Sequence, residues 1–304
     1  MNLGMVGLGR MGGNMTERLR RAGHTVDTYA RTAPERTAGS LVELVGMLDH
    51  PRVIWLMIPA GDATENAFQT ILPLLEDGDV VVDGGNSNFR DSQRRAAQAA
   101  EKAVHYLDSG VSGGVWGLEE GYCIMVGGDD EGFGLIEPFL RDLAQEGGYA
   151  HVGSPGAGHF VKMVHNGIEY GMMQSLAEGF ELLQASPQGI DTAQVAGLWR
   201  HGSVVRSWLL DLSHQALRRD PKLAGVTGHV SDSGEGRWAV ETAIARDVPA
   251  TVLAASLFAR FRSRQPDSFA MKLLAALRHE FGGHAVQAAK TNGNGGGTGV
   301  PPVV

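Results

Sequence analysis

Asn2-Leu-Gly-Met-Val-Gly-Leu-Gly-Arg-Met-Gly12 decides the fold of this chain. Asn2 to Val6 is a short apolar run of strand length. Gly7, Gly9 and Gly12 follow at once, and residues 13–22 are helix-like. In such a turn the first glycine makes the tight bend. The second lets a pyrophosphate reach the backbone, and the third lets helix pack on strand. The helix N-terminus then offers free N–H groups to the anion. A glycine-rich turn alone means only a turn. The strand before it and the helix after it make this one a dinucleotide fingerprint, with Gly7, Leu8, Gly9 and Gly12 as expected cofactor contacts.

Outward from the fingerprint, residues 26–29, 53–58, 80–83, 105–109 and 122–126 read as strands, with helical stretches such as 92–102 between them. That alternation predicts a parallel sheet covered on both faces. After Pro155 the pattern becomes almost wholly helical, at 159–186, 191–200, 204–219, 237–246, 249–264 and 268–281. The expected division is therefore a nucleotide-binding domain over 1–155 and a helical substrate and dimerisation domain over 156–290. Residues 291–304 form a Gly/Pro-rich tail expected to be disordered.

Composition bounds the function. The 304 residues carry 26 Lys and Arg against 34 Asp and Glu, a net charge of −8, which argues against a nucleic-acid partner. No apolar run has membrane-spanning length. The strand at the very start leaves no room for a signal peptide. The single cysteine, Cys123, cannot form an internal disulfide, which fits a reducing cytoplasm. It lies in the apolar run 122–126 and reads as a buried structural residue.

The stretch Lys162-Met-Val-His-Asn-Gly-Ile-Glu-Tyr170 carries the chemistry. On a helix, Lys162, His165, Asn166, Glu169 and Tyr170 share one face, and the other faces are apolar. Such a stripe is usually a solvated face. It can also bring a lysine base and a glutamate acid to one substrate.

Three further segments fall where strands of such a sheet end, which is where ligands of open α/β sheets bind. Asp83-Gly-Gly-Asn-Ser87 places Asn86 there. Asp108-Ser-Gly-Val-Ser-Gly-Gly114 places Ser112, with N–H groups from Gly113 and Gly114. The end of the second strand, Thr28-Tyr-Ala-Arg-Thr32, has no acid at the position that takes a ribose hydroxyl; Arg31 and Thr32 stand beside Ala30. NADP is slightly favoured over NAD, although Arg31 also reads as a plain surface arginine.

Taken together these residues resemble the 6-phosphogluconate dehydrogenases, within the β-hydroxyacid dehydrogenase family. The broad family is carried by the fingerprint, by Ser109-Gly-Val-Ser-Gly-Gly114, and by Lys162 followed by Asn166. The narrower one is carried by residues 83–87 and 162–170 and by Arg278-His-Glu-Phe-Gly-Gly-His284. The resemblance spans residue 1 to about residue 286. It implies a Rossmann-type doubly wound sheet followed by an all-helical domain. The implied reaction is oxidative decarboxylation of a small phosphorylated sugar acid, 6-phosphogluconate, to ribulose 5-phosphate and CO2 in gluconate and pentose phosphate metabolism.

By the same resemblance, Lys162 is the general base and Glu169 the general acid, with Asn166 beside them. Asn86, Ser112, Gly113, Gly114, His165 and Tyr170 line the substrate, and Asn86 also touches the cofactor. Met11 lies beside the nicotinamide, and Arg260 holds the phosphate. Arg278 and His284 reach into a neighbouring subunit's site, which implies a homodimer or tetramer. No metal is expected, because the lysine polarises the carbonyl and the histidines lack zinc-type spacing.

Two departures stand out. The chain reaches its tail motif far earlier than the long enzymes of this family, and so resembles the short, often NAD-using, bacterial type. Where the long enzymes grip phosphate with Lys-Gly-Thr-Gly, this chain has Asp232-Ser-Gly-Glu-Gly-Arg-Trp238. The grip then falls to Arg260, Arg278 and Arg237. Two alternatives stay open: a 3-hydroxyisobutyrate-type dehydrogenase acting without decarboxylation, and a silent NADP-binding module.

Overall fold

In a computed structural model, residues 2–287 are described. The segment 291–304, expected to be a disordered tail, lies outside them. The strands are β1 (Asn2–Val6), β2 (Thr25–Tyr29), β3 (Val53–Leu56), β4 (Val80–Asp83), β5 (His105–Ser112), β6 (Tyr122–Gly127) and β7 (Ala144–Gly153). Six helices accompany them: α1 (Arg10–Arg21), α2 (Leu41–Gly46), α3 (Asp62–Ile71), α4 (Phe89–Ala100), α5 (Gly117–Glu120) and α6 (Asp130–Leu143). Then come α7 (Ala157–Ala185), α8 (Thr192–Trp199), α9 (Trp208–Arg219), α10 (Glu235–Ala245), α11 (Thr251–Ser263) and α12 (Phe269–Gly282).

The seven strands form one sheet in the order β2-β1-β3-β4-β5-β6-β7. β1 to β5 are mutually parallel, as the strand–helix alternation predicts. Side chains alternate between faces with period two. Leu3, Met5, Trp55, Val80 and Val82 pack under α1 and α6 on one face. Val6, Ile54, Leu56 and Val81 pack under α2 and α3 on the other. Strands buried on both faces read as continuous apolar runs, as β3 and β4 do.

Two features depart from expectation. β6 runs antiparallel to β5. Only residues 113–121 connect them, too few for a right-handed crossover but enough for a reversal. β7, parallel to β6, was not anticipated. Its opening residues Gln145-Glu-Gly-Gly148 break the apolar alternation that marks a strand, and they are mostly exposed at the sheet edge.

The chain divides into two compact units. One holds the residues up to Thr227 together with Asp232–Ala259; the other holds Gly228–Ser231 and the described residues from Arg260 onward. In the first unit α7, 29 residues long, packs Met163 against Phe89 and Ala239. Farther along the chain, α8 and α9 enclose Ala196, Leu210 and Leu217. In the second unit, none of the α12 residues is buried. Among the described residues no helix is long and apolar enough to cross a membrane.

Candidate active site

The turn after β1 has the shape a dinucleotide requires. Gly7 has φ +100°, and a Cβ there would meet the Met57 carbonyl oxygen at 2.4 Å. A Cβ on Gly12 would meet the Gly7 carbonyl oxygen at 2.0 Å. Both are fixed by the protein's own packing. Gly9 differs, because nothing lies within 4 Å of its would-be Cβ. Its reason lies outside the chain, and an approaching pyrophosphate fits that role. Gly9 is also the N-cap of α1 without any side-chain capping bond, and the first turn holds no acid. Leu8 and Met11 rest half-buried against the core below.

At the end of β2, Arg31 and Thr32 are exposed. Arg36, not singled out from sequence, donates to the carbonyls of Ala30 and Arg31 at 3.2 and 3.1 Å. That holds a second guanidinium against the backbone at the end of β2. Asp27 is occupied by the Thr37 hydroxyl at 3.2 Å.

Asn86 sits in the left-handed region at φ +53°, a conformation asparagine tolerates better than most residues. Its Oδ1 is buried and has no hydrogen-bond partner. Non-glycine strain of this kind gathers at functional positions. The loop is held from below. The fully buried Asp83 accepts from Ser87 Oγ at 2.8 Å, Tyr106 Oη at 2.9 Å and an Arg95 guanidinium nitrogen at 3.1 Å. Its other oxygen accepts the Gly85 N–H at 3.0 Å. Arg95 continues to Glu65 at 3.0 Å. Burial, with the negative Asp83 beside it, pushes the Tyr106 phenol well above its ordinary range, so the phenol stays a donor.

The decisive geometry lies on α7. Its polar face points inward: Lys162 and Tyr170 are buried, and His165, Asn166 and Glu169 are half-buried. A row of its apolar residues faces out, with Ile168 51 % exposed and Met172 and Met173 each 41 %, while Met163 stays buried. This inverts the solvated stripe that the spacing alone would predict. The inversion has local causes. Asp108, buried at the centre of β5, accepts the backbone N–H groups of Gly156 at 2.6 Å and His159 at 2.7 Å. It caps α7 from another element, and sequence reading assigned it no role. Gly110 and Gly158 let helix and sheet touch; a Cβ on Gly110 would stand 2.4 Å from Lys162 Cβ.

Lys162 has no carboxylate within ion-pair distance among the described residues. Burial lowers its pKa, against the opposing pull of Glu169, Glu235 and Cys123. With the proton on His165 Nδ1, that nitrogen donates to Asn166 Oδ1 at 3.0 Å. Nε2 then accepts from the Ser112 hydroxyl at 3.4 Å, and Glu169 lies 3.8 Å from the ring. Gly113 and Gly114 follow Ser112 at φ +124° and +54°. Lys162, His165, Asn166, Glu169 and Ser112 are thus brought together. Tyr170 joins through a different contact, because Ser233 N–H donates to its hydroxyl at 3.2 Å.

Cys123 corrects an expectation. It is exposed rather than buried, and it pairs with Ser112 across the β5–β6 ladder. Arg237, one of three arginines expected to hold phosphate, is bound to both oxygens of Asp232 at 2.7 and 3.0 Å. Arg260, Arg278 and His284 belong to the second unit, where Arg260 donates to the Ser231 carbonyl at 3.0 Å and the His284 ring meets Phe281 edge-on. Among the described residues no group of three or more His, Cys, Asp or Glu side chains is arranged to hold a metal.

Comparison with known proteins identifies the family. Residues 2–153 match the family model for the NAD-binding domain of 6-phosphogluconate dehydrogenase, and residues 158–292 match that enzyme's C-terminal domain. A Bacillus subtilis relative, YqeC, is 43 % identical over 94 % of this chain and 99 % of its own length. The NAD(+)-dependent decarboxylating 6-phosphogluconate dehydrogenase of Haloferax volcanii is 42 % identical over 94 % of this chain and 98 % of its own. Plasmodium falciparum 6-phosphogluconate dehydrogenase, solved in its apo form, with NADP+ and with 6-phosphogluconate, superposes with a TM-score of 0.79 at 28 % identity. The match covers 96 % of this chain and 67 % of that one. A pyridine-nucleotide fingerprint, a buried lysine on an inward polar face and matches to both domains lead to one conclusion: the chain belongs to the 6-phosphogluconate dehydrogenase family.

Proposed function

We propose that this chain oxidises and decarboxylates 6-phosphogluconate to ribulose 5-phosphate and CO2 with reduction of NADP or NAD, in the cytoplasm, within gluconate and pentose phosphate metabolism. The observation that carries the reading is the inward polar face of α7, where Lys162 is buried and shares the face with Glu169, Asn166 and His165. Gly7, Leu8, Gly9, Met11 and Gly12 hold the dinucleotide, with Arg31 and Thr32 at its ribose. When bound, the nicotinamide accepts hydride from C3 of the substrate. Neutral Lys162 takes the 3-hydroxyl proton; its lowered pKa suits a base. The resulting ammonium then stabilises the enolate oxygen as CO2 leaves. Glu169 returns a proton to C1. Asn86, Ser112, His165, Asn166, Tyr170 and the N–H groups of Gly113 and Gly114 line the acid, Arg260 is the candidate phosphate ligand, and Arg278 and His284 serve the site of a neighbouring subunit.

The division at residues 155/156 is supported by the change from strands to helices after β7, and by family matches that end at residue 153 and begin again at 158. A homodimer or tetramer is supported by the outward apolar row of α7 and by α12, which leaves Phe269, Leu274, Leu277 and Phe281 about half or more exposed. NADP preference is supported by Arg31 and Arg36 together with the absence of an acid at Ala30. The test is reduction of NADP and NAD by 6-phosphogluconate with CO2 recorded alongside. One CO2 per reduced nucleotide is expected. Reduction without CO2 would favour the 3-hydroxyisobutyrate-type reaction, and no reduction the silent module.

A further inference from the structure

Glu235 is a buried carboxylate without a salt bridge among the described residues. It stands in the first turn of α10 at 7 % exposure, and among the described residues no Lys, Arg or His lies within ion-pair distance of it. Burying a carboxylate is costly unless hydrogen bonds or a partner compensate. One oxygen is compensated: Oε2 accepts the Ser233 hydroxyl at 2.6 Å. Ser233 in turn donates its N–H to the Tyr170 hydroxyl at 3.2 Å, and the two hydroxyls lie 3.4 Å apart. The Tyr170 ring presses on α10 so closely that a Cβ at Gly236 would meet it at 2.6 Å. Glu235 is therefore fixed to a residue of the proposed substrate wall. Its other oxygen, Oε1, receives no hydrogen bond from the described residues, and it is not among the sealed buried atoms lacking a partner. It is an open acceptor.

The chemistry of the missing donor follows from charge. An ionised carboxylate only accepts. A phosphate dianion beside it would add repulsion, whereas a sugar hydroxyl supplies the proton it lacks. Glu235 also pulls the Lys162 pKa upward, so it acts on the same space as the proposed base. Resting on the sugar-acid reading above, we propose that Glu235 sets substrate specificity, its open oxygen accepting a hydrogen bond from a hydroxyl on C4 or C5 of the sugar acid. The short enzyme thereby recognises the polyol chain at a position where the long enzymes carry a phosphate-gripping segment.

The test crosses substrate and protein. Wild-type enzyme, Glu235→Gln and Ser233→Ala are assayed with 6-phosphogluconate and with its 4-deoxy and 5-deoxy analogues, and the Tm of each protein is recorded. One analogue should lose about 10- to 100-fold in kcat/KM with wild-type enzyme, the worth of a hydrogen bond to a charged group. Glu235→Gln should show a comparable loss on the parent substrate and little further loss on that analogue. Ser233→Ala, which keeps the carboxylate but frees it to turn, should show reduced discrimination, so the idea stays open to refutation if Glu235→Gln fails to fold. Additive losses in both variants would overturn the inference, as would a Glu235→Gln enzyme that gains activity on 6-phosphogluconate, because the carboxylate would then face the phosphate. Wild-type enzyme inert towards 6-phosphogluconate would overturn the functional reading itself, and this inference with it.

Discussion

Among the described residues Lys162 is buried without an ion pair, and that is the property a base needs. Burial disfavours the ammonium, and the carboxylates of Glu169 and Glu235 only partly restore it. The neutral form is the active one, so kcat/KM for 6-phosphogluconate should fall as pH drops through the lowered pKa, with the midpoint of that limb below 10.5. A limb at or above that value in the pH profile would refute a neutral base. Glu169, half-exposed and 3.8 Å from His165, is placed to deliver a proton late in the reaction. Glu169→Gln should lower kcat about 100- to 10,000-fold with KM little changed; a pure KM effect in steady-state kinetics would give it a binding role only. At this scale the site was largely legible. Lys162, His165, Asn166 and Glu169 were found by helical spacing, and Asn86 by its place after a strand. Glu235 was visible as a departure, but its bond to Ser233 was not, because that contact depends on how α10 meets α7.

The elements explain why α7 turns its polar face inward. Spacing identifies a face and leaves open which way it points; the direction comes from β5. Asp108 fixes the start of the helix, and Gly110 and Gly158 bring helix and strand into backbone contact. A buried acid within a strand carries no sequence mark of a cap, so this role was illegible. Asp108→Ala should leave the N–H groups of Gly156 and His159 unpaired and cost about 3 kcal/mol, as an unmade buried hydrogen bond costs about 1–3. Chemical denaturation would check this, and a loss under about 1 kcal/mol would mean that α7 is held by packing alone. The parallel strands β1 to β5 were legible as apolar runs. β7 and the reversal at β6 were not: one lacks alternation, and the other depends on a nine-residue connection whose length, not composition, forbids a crossover.

In the whole molecule Val161, Val164, Ile168, Met172 and Met173 form an outward apolar row on α7, an arrangement that calls for a covering partner. On the proposed homo-oligomer, Ile168→Asp should lower the mass measured by light scattering to that of a single chain, with the fold kept because Ile168 is 51 % exposed; an unchanged mass would move the interface elsewhere. The proposed chemistry turns on Lys162. The most direct measurement is turnover of 6-phosphogluconate by Lys162→Met, with Tm recorded alongside. The account predicts a folded protein, no less stable than wild type because a buried amine is replaced by a thioether of similar length, that has lost measurable turnover. Turnover within tenfold of wild type would contradict it, since the inward face of α7 would then serve structure rather than chemistry.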